Sequence, residues 1–185
     1  PSLKESLEED VLEINNILNK FIDFARVFQD EARIPVNLGK LLKEIQAKHI
    51  RMGQNFLLKK KNIRTDIPKK LFIDLRSLAF QRCLDNLINN AFFYSKGKVI
   101  LEATLYEESL TIDIIDDGPG IPEEDKAKLL EPFARVDKAR GNKGGSGLGL
   151  TIADRIVKAH DGKLELINRT EGGLSAKITI PIITA

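Results

Sequence analysis

Three groups of residues in this 185-residue chain have the types and spacing to do chemistry together. Gly144-Gly145-Ser146-Gly147-Leu148-Gly149-Leu150 joins a polar, charge-rich segment directly to an apolar, helix-forming one, Thr151 to His160. Glycine has no Cβ, so the chain can pass close to a bound group there, and the positive end of the following helix dipole favours an anion. Such a stretch is either a phosphate cradle or a plain hinge, and alone it does not separate the two. Asn86 and Asn90 stand one turn apart on one face of a helical stretch. Asparagine is a poor helix former, so the pair needs a reason. Surface hydrogen bonding is one; the other is that neutral amide oxygens help hold a magnesium ion whose remaining ligands are phosphate oxygens and water. Asn89 points elsewhere, roughly 60° around the helix from Asn86. The third group is Asp116-Asp117-Gly118-Pro119-Gly120, a carboxylate at the end of a buried strand with glycines directly after it. A tight turn explains the glycines alone, whereas a cleft shared with Asn86 and Asn90 explains all of these residues.

Other reactive residue types read as structural. Cys83 sits among apolar helix positions as a small buried hydrophobe, and a single cysteine excludes an intrachain disulfide framework. His49 lies one turn beyond Ile45 as an edge-of-core histidine, with no acidic or nucleophilic partner spaced to serve it. Two histidines and one cysteine are too few soft ligands for a zinc site. Lys59-Lys60-Lys61, with Arg64, Lys69 and Lys70, has no interleaved aromatic residues and reads as a solvated edge.

Positioning these groups requires a particular run of elements. Ser2-Leu3-Lys4-Glu5 has the form of a capping box, and Leu7, Val11, Ile14, Leu18, Phe21, Ala25 and Phe28 follow at spacings of four and three. A helix over residues 2–29 with this stripe must lay it on other helices, in the fold or in a partner subunit. Residues 30–36 read as a linker, since Pro35 forces Ile34 out of helical geometry. Asn37 caps a helix with Leu38, Leu41, Leu42 and Ile45 inward, fading near Met52-Gly53. Short strands are expected over 55–58, 63–67 and 71–74. The helix over 75–94 buries Leu78, Leu84, Leu87, Ile88, Ala91 and Phe92. Alternation over Val99–Leu105 and Leu110–Ile114 predicts an antiparallel hairpin. Residues 121–144, mostly polar with a short helix over 123–130, read as a mobile lid. A helix over 148–160 and a closing hairpin of 163–168 with 174–181 complete the chain.

Composition sets the limits. At 42% apolar and 30% charged residues the chain is globular and long enough for a substantial core. Its 29 basic and 27 acidic residues give +2, which offers no global reason to expect nucleic acid. No apolar run approaches the roughly 20 residues that cross a bilayer, and no signal-peptide pattern opens the chain, so no membrane contact is expected of this stretch.

Asn86-Leu-Ile-Asn-Asn90, Asp116-Asp-Gly-Pro-Gly120, Glu131-Pro-Phe133 and Gly145-Ser-Gly-Leu-Gly149 stand in an order that resembles the N, G1, F and G2 boxes of sensor histidine kinases. The resemblance covers residues 36–182 and looks closest to the osmosensor subfamily, and residues 10–26 look like the second helix of that family's dimerisation hairpin. It implies an α/β fold: a two-layer α/β sandwich of Bergerat type, a mixed sheet with helices on one face, preceded by a long N-terminal helix. Residues 1–29 would be half of the dimerisation hairpin, 30–36 a linker and 37–185 the ATP-binding catalytic domain. ATP and Mg²⁺ are the implied cofactors. By the resemblance Asp116 accepts a hydrogen bond from the adenine amino group, Asn86 ligates magnesium and Asn90 supports the ion or the phosphates. Gly118 and Gly120 make room for the nucleotide, and Tyr94 lies near the base or ribose. Phe133 anchors the lid, while Gly145, Gly147, Leu148 and Gly149 meet the phosphates. Phe93 departs from the pattern, where many relatives carry Lys or Arg, and Arg135, Lys138, Arg140 or Lys143 would supply that charge.

The family's phosphoacceptor box, His-Glu/Asp-x-x-Thr/Arg-Pro, is absent from this sequence, and neither His49 nor His160 has those neighbours. The expected activity is therefore that of a histidine protein kinase domain acting on a histidine supplied from another segment, with a response regulator as the next acceptor. The other expected properties are a homodimer through the N-terminal hairpin and a cytoplasmic location as part of a bacterial inner-membrane protein. A reading from a different class is a GHKL-type conformational ATPase module, like those of type II topoisomerases, mismatch-repair or chaperone proteins. The heptad helix and the Phe133 box argue against it.

Overall fold

The computed structural model describes residues 31–54, 56–62, 72–106, 108–134 and 147–182, with the backbone alone for 58–62. Of the first 30 residues it describes Leu7, Val11, Ile14, Asn15, Leu18, Phe21 and Ile22, all in helical backbone. The rest of the helix expected over 2–29 lies outside the described residues. The first helix described throughout is short, the 14-residue Leu38–Arg51, rather than long.

Among the described residues, seven strands and four α-helices follow. β1 (Ile34–Asn37) leads into α1 (Leu38–Arg51), β2 (Phe56–Asn62), β3 (Phe72–Leu75) and α2 (Ser77–Tyr94). β4 (Val99–Leu105) and β5 (Ser109–Asp116) precede α3 (Glu123–Lys126), a 3-10 turn (Lys128–Leu130), α4 (Gly149–Lys158), β6 (Lys163–Asn168) and β7 (Leu174–Pro181). The five-stranded sheet has the order β2-β4-β5-β7-β6. It is mixed because β2 runs parallel to β4 while the other pairs are antiparallel. Period-2 patterning puts Val99, Leu101, Leu110, Ile112, Ile114, Leu164, Leu166, Ala176 and Ile178 in the core beside Ile45, Phe80, Leu84, Ile88, Ile152 and Ile156 of the helices. The fold is thus α/β, with β5 at the middle of the sheet and its last residue, Asp116, at one end.

Local signals set most boundaries. The Lys40 N–H donates to Asn37 Oδ1 (2.9 Å), so Asn37 caps α1, and Lys48, His49 and Arg51 occupy its last turn, where cations favour the dipole. Three expectations are corrected. A single strand spans 56–62 in place of one ending at 58, because β2 stays in register with β4 from Phe56↔Val99 to Asn62↔Leu105. The strand expected over 63–67 lies outside the described residues. Ile34–Val36, inside the stretch read as linker, is a strand that pairs antiparallel with β3, in the register Ile34↔Leu75. Leu78 is 65% exposed, because at 100° per residue it stands on the face of α2 opposite Phe80, Leu84, Leu87 and Ala91, which pack in the core. Of the lid expected over 121–144, the first part is α3, the 3-10 turn and Phe133; residues 135–146 lie outside the described residues.

Ile112 is fully buried on the central strand, between Ala103 and Ile178. Ile112→Ala is expected to remove about 2–5 kcal/mol of stability, read as a lower urea midpoint at unchanged m-value.

Candidate functional site

The site rests on two helices running antiparallel. Phe80 meets the His160 ring edge-on at 5.4 Å, Cys83 Sγ lies 3.7 Å from Ala153 O, and a Cβ on Gly149 would stand 3.8 Å from Asn86 Oδ1. Residues 80, 83 and 86 of α2 therefore face 160, 153 and 149 around α4. The C-terminal half of α2 and the N-terminus of α4 consequently open on the same end of the molecule. Asn86 and Asn90 are half-buried there, while Asn89 is exposed, as its place around the helix predicts. Tyr94 ends α2, its ring against Phe93 at 4.9 Å, and both are exposed.

Asp116 reaches the same end from β5. It is only 5% exposed, and its Oδ1 accepts two backbone N–H groups, from Gly118 (2.8 Å) and Leu174 (3.1 Å). Both of these hydrogen bonds fall on one oxygen. Burial pushes the carboxyl above the ordinary aspartate range; the two N–H donors oppose this, Asp117 adds to it, and Arg169 opposes it. Asp117 is anchored too, accepting the Lys96 N–H (2.8 Å), which ties the loop to the end of α2. A Cβ on Gly118 would stand 2.7 Å from Tyr94 O, so this loop packs on the last turn of α2 with no room to spare.

The sequence reading missed the support beneath Asp116. Gly173, at φ +92, brings the β6–β7 turn so near that a Cβ there would lie 2.1 Å from Asp116 O. Any side chain at 173 would displace the backbone that holds the carboxylate. Asn168 clasps Ile121, accepting its N–H (2.9 Å) and donating to its carbonyl (2.7 Å), and it lies directly beside Gly120. The only sequence signal for either contact was Gly172-Gly173 in an apparently ordinary hairpin.

Phe133 and Gly147, on either side of residues 135–146, meet. The Phe133 N–H donates to Gly147 O (3.1 Å), and Phe133 itself has φ +64, a left-handed conformation that an aromatic residue rarely adopts. Gly147 has φ +69, and a Cβ on it would lie 2.8 Å from the Phe133 carbonyl carbon. The contact is made by backbone, and the Phe133 ring is 58% exposed. Leu148 is fully buried at the start of α4. Gly145 lies outside the described residues, as do Arg135, Lys138, Arg140 and Lys143. The structure thus brings together Asn86, Asn90, Tyr94, Asp116, Gly118, Gly120 and Gly149 at one end, with Gly147 in backbone contact with Phe133.

Neither histidine is available as an acceptor. His49 is 1% exposed and, contrary to the sequence reading, has an acidic partner: Nε2 lies 3.3 Å from Asp85 Oδ1 and Nδ1 lies 2.6 Å from Gln54 Oε1. Asp85 is 36 residues away in sequence, so spacing along the chain gave no hint of it. Burial pushes the Asp85 carboxyl up, but hydrogen bonds from His49 and Lys48 outweigh it and hold it below the ordinary range. His160 is 3% exposed; its Nε2 accepts the Arg76 N–H (3.0 Å), so Nδ1 carries the proton donated to Ile156 O (2.7 Å). Burial lowers its pKa, which keeps this neutral tautomer. Cys83 is buried, and burial pushes its thiol far up, so it is inert as expected.

The family model of histidine kinase-, DNA gyrase B-, and HSP90-like ATPases matches residues 76–184. The sensor protein kinase WalK of Staphylococcus aureus is 43% identical over 123 residues, which are 63% of this chain and 29% of WalK. The NMR structure of the histidine kinase domain of the E. coli osmosensor EnvZ superposes with a TM-score of 0.63 at 29% identity, covering 85% of this chain and 94% of that one. Full-length ShkA in complex with AMPPNP superposes with a TM-score of 0.77 over 98% of this chain and 38% of its own, and at 22% identity shows likeness of fold alone. The chain spans between 20% and 29% of the length of the curated sensor proteins it matches. With the family match running from the N-cap of α2 past the end of β7, the chain belongs to the family of histidine kinase-, DNA gyrase B- and HSP90-like ATPases, as the ATP-binding catalytic domain of a two-component sensor histidine kinase.

Proposed function

We propose that this cleft binds Mg·ATP and positions its γ-phosphoryl group for in-line transfer to a histidine imidazole on another segment of a longer protein, and from there to a response-regulator aspartate. The observation that carries the reading is Asp116. Two backbone N–H groups occupy Oδ1, which leaves Oδ2 as the acceptor for an exocyclic amino group. Adenine has such a group where guanine has a carbonyl, so the arrangement selects adenine. Gly118 and Gly120 keep the floor of the base pocket free of side chains, and Tyr94 flanks the base or ribose. Gly145, Gly147, Leu148 and Gly149 offer backbone N–H groups and the α4 dipole to the phosphates. Phe133 anchors the lid through its backbone contact with Gly147.

The donor set fits a magnesium ion. Asn86 Oδ1 lies beside the start of α4, 3.8 Å from where a Cβ on Gly149 would stand, and among the described residues no group of three or more acidic or soft side chains could hold a metal by itself. A neutral amide with phosphate oxygens as the other ligands is the chemistry of an ion that arrives with its nucleotide. When bound, Mg²⁺ neutralises charge developing on the phosphates. The chain's own residues bind, orient and exclude water, and neutral imidazole is already a nucleophile near pH 7, so no strong general base is needed.

The finer assignments follow the same reading: a two-layer sandwich of Bergerat type, residues 1–29 as half of a dimerisation hairpin, 30–36 as linker, 37–185 as catalytic domain, and osmosensor-type kinship. Leu7, Val11, Ile14, Leu18 and Phe21 are helical and at least half exposed, which supports a homodimer formed through this stripe. Among the described residues no helix is long and apolar enough to cross a membrane, which suits a domain on the cytoplasmic side of a bacterial inner membrane.

Three outcomes are expected. A histidine-bearing helix of this kinase type, added with labelled ATP, should become phosphorylated by the wild-type chain and not by Asn86→Ala; equal labelling by both sinks the kinase reading. Asp116→Asn should weaken Mg·ATP binding about tenfold or more by calorimetric titration, because the amide then turns an N–H₂ towards the adenine amino group. Its thermal midpoint should not fall. The stability linked to a raised carboxyl pKa is present below the ordinary aspartate value and is lost as pH rises through the raised one, so at neutral pH the ionised carboxylate works against folding. In sedimentation, the chain should self-associate and Ile14→Asp with Leu18→Asp should be monomeric; a monomeric wild type at high concentration would exclude the stripe as an interface.

A further inference from the structure

One hairpin turn holds both ends of the loop that follows β5. The loop runs from Asp116 to Ile121, and the β6–β7 turn over residues 168–173 touches each end. At the first end Gly173 lies against Asp116: a Cβ on it would stand 2.1 Å from Asp116 O, and the next residue, Leu174, donates its N–H to Asp116 Oδ1 (3.1 Å). At the other end Asn168 Oδ1 accepts the Ile121 N–H (2.9 Å), while Nδ2 donates to Ile121 O (2.7 Å). The turn is closed on itself, with the Arg169 N–H donating to Gly173 O (3.0 Å) and the Gly172 N–H to Arg169 O (3.1 Å). A closed turn has a set span, so it fixes how far apart the two ends of the loop stand.

An amide suits this task because it carries a donor and an acceptor side by side, so it can pair with the N–H and C=O of one residue as a neighbouring strand would. Asn168 Nδ2 also lies 3.3 Å from Glu123 Oε1, and two acceptors on that side fix which end of the amide points where. Gly120 completes the fit: at φ +77, a Cβ on it would stand 2.8 Å from Asn168 Oδ1, so the amide lies flush on the glycine. The Ile121 side chain packs against the core by itself. Asn168 therefore does not hold Ile121 in the fold; it sets how the Ile121 peptide, and Gly120 before it, are turned.

We propose that Asn168 is a positioning residue for the adenine base: by pairing with Ile121 it holds Gly118-Pro119-Gly120 at the depth at which the base meets Asp116 Oδ2. The proposal rests on the Mg·ATP reading above and adds that the closing hairpin sets base selectivity. The first half of the loop has no freedom, since Asp117 accepts the Lys96 N–H and Gly118 is pressed on Tyr94 O. Any adjustment falls on the Gly120 side, where the hold is Asn168. A hydrogen bond tolerates roughly half an ångström in length, so a small shift of this floor costs the contact with Oδ2. The hydrogen bonds of Asn168 run to Ile121 and Glu123, not to Asn86 or α4, so its loss weakens the grip on the base and spares that on the phosphates.

Asn168→Ala in the 185-residue chain tests this. By calorimetric titration it should bind Mg·ATP about fivefold more weakly, while Mg·GTP, which offers Asp116 a carbonyl, changes less than about twofold, so that discrimination between the two narrows. With the histidine-bearing helix as acceptor, KM for ATP should rise by the same factor at unchanged kcat. Asn168 is exposed, so water takes over its hydrogen bonds: amide exchange at Ile121 should speed up several-fold, with the thermal midpoint within about 3 °C of wild type. Asn168→Asp keeps the acceptor but turns a carboxylate on Ile121 O and Glu123, and should lose as much as Asn168→Ala. Gly120→Ala should cost less beside Asn168→Ala than alone, because the oxygen that its Cβ strikes is gone. ATP binding within about twofold of wild type in Asn168→Ala overturns the proposal. Equal losses for ATP and GTP, or a midpoint lower by about 10 °C, do so too, since they mark a residue that only stabilises the fold. A wild-type chain that does not bind Mg·ATP overturns the nucleotide reading and the proposal together, whereas a wild type that binds and a variant that binds as well overturn the role of Asn168 alone.

Discussion

Everything in this fold depends on the antiparallel contact between α2 and α4. Ala153 and Cys83 are small, so the two helices approach closely along this seam, and the approach sets two ends with different characters. At one end the amide side chains of α2 meet the start of α4, and at the other the start of α2 meets the end of α4. The sheet brings β5 to the first end with Asp116 as its terminal residue. A carboxylate, two amides and a helix N-terminus converge there because the helices are paired in this sense; with α4 reversed, the glycines would lie on the wrong side of the molecule.

The site is held more by backbone than by side chains. Asp116 is fixed by the N–H groups of Gly118 and Leu174, Phe133 meets Gly147 main chain to main chain, and Gly173 presses on the Asp116 carbonyl. Main-chain contacts of this kind cannot be rebuilt by choosing another rotamer, so they keep the carboxylate in place. The burial that raises the Asp116 pKa and the left-handed backbone of Phe133 are costs that the rest of the core offsets.

Much of this was legible in the residues. Asn37 announced the start of α1, alternation announced the β4–β5 and β6–β7 hairpins, and the Asn86–Asn90 and Asp116–Gly120 boxes are groups that the fold brings to one end. What could not be read was contact between residues far apart in sequence. His49 looked unpartnered because Asp85 reaches it from another helix. Leu78 is a different case: six residues before Leu84, it falls off the buried stripe of α2 by helical spacing alone. Ile34 looked like linker because its strand partner is Leu75, and a four-residue strand containing a proline carries almost no local signal.

α2 is capped from a distance, by the Glu31 carboxylate on the Leu78 and Ala79 N–H groups, and this bears on what counts as the domain. By composition and by the family match the catalytic unit starts near residue 37 or even 76, and the residues before it would be discarded as connection. A chain cut at residue 37 would leave the Leu78 and Ala79 amides and the Ala159 carbonyl without the Glu31 and Arg33 side chains. The smallest piece with its helix ends complete begins at Glu31, six residues before the border that hydrophobic patterning draws.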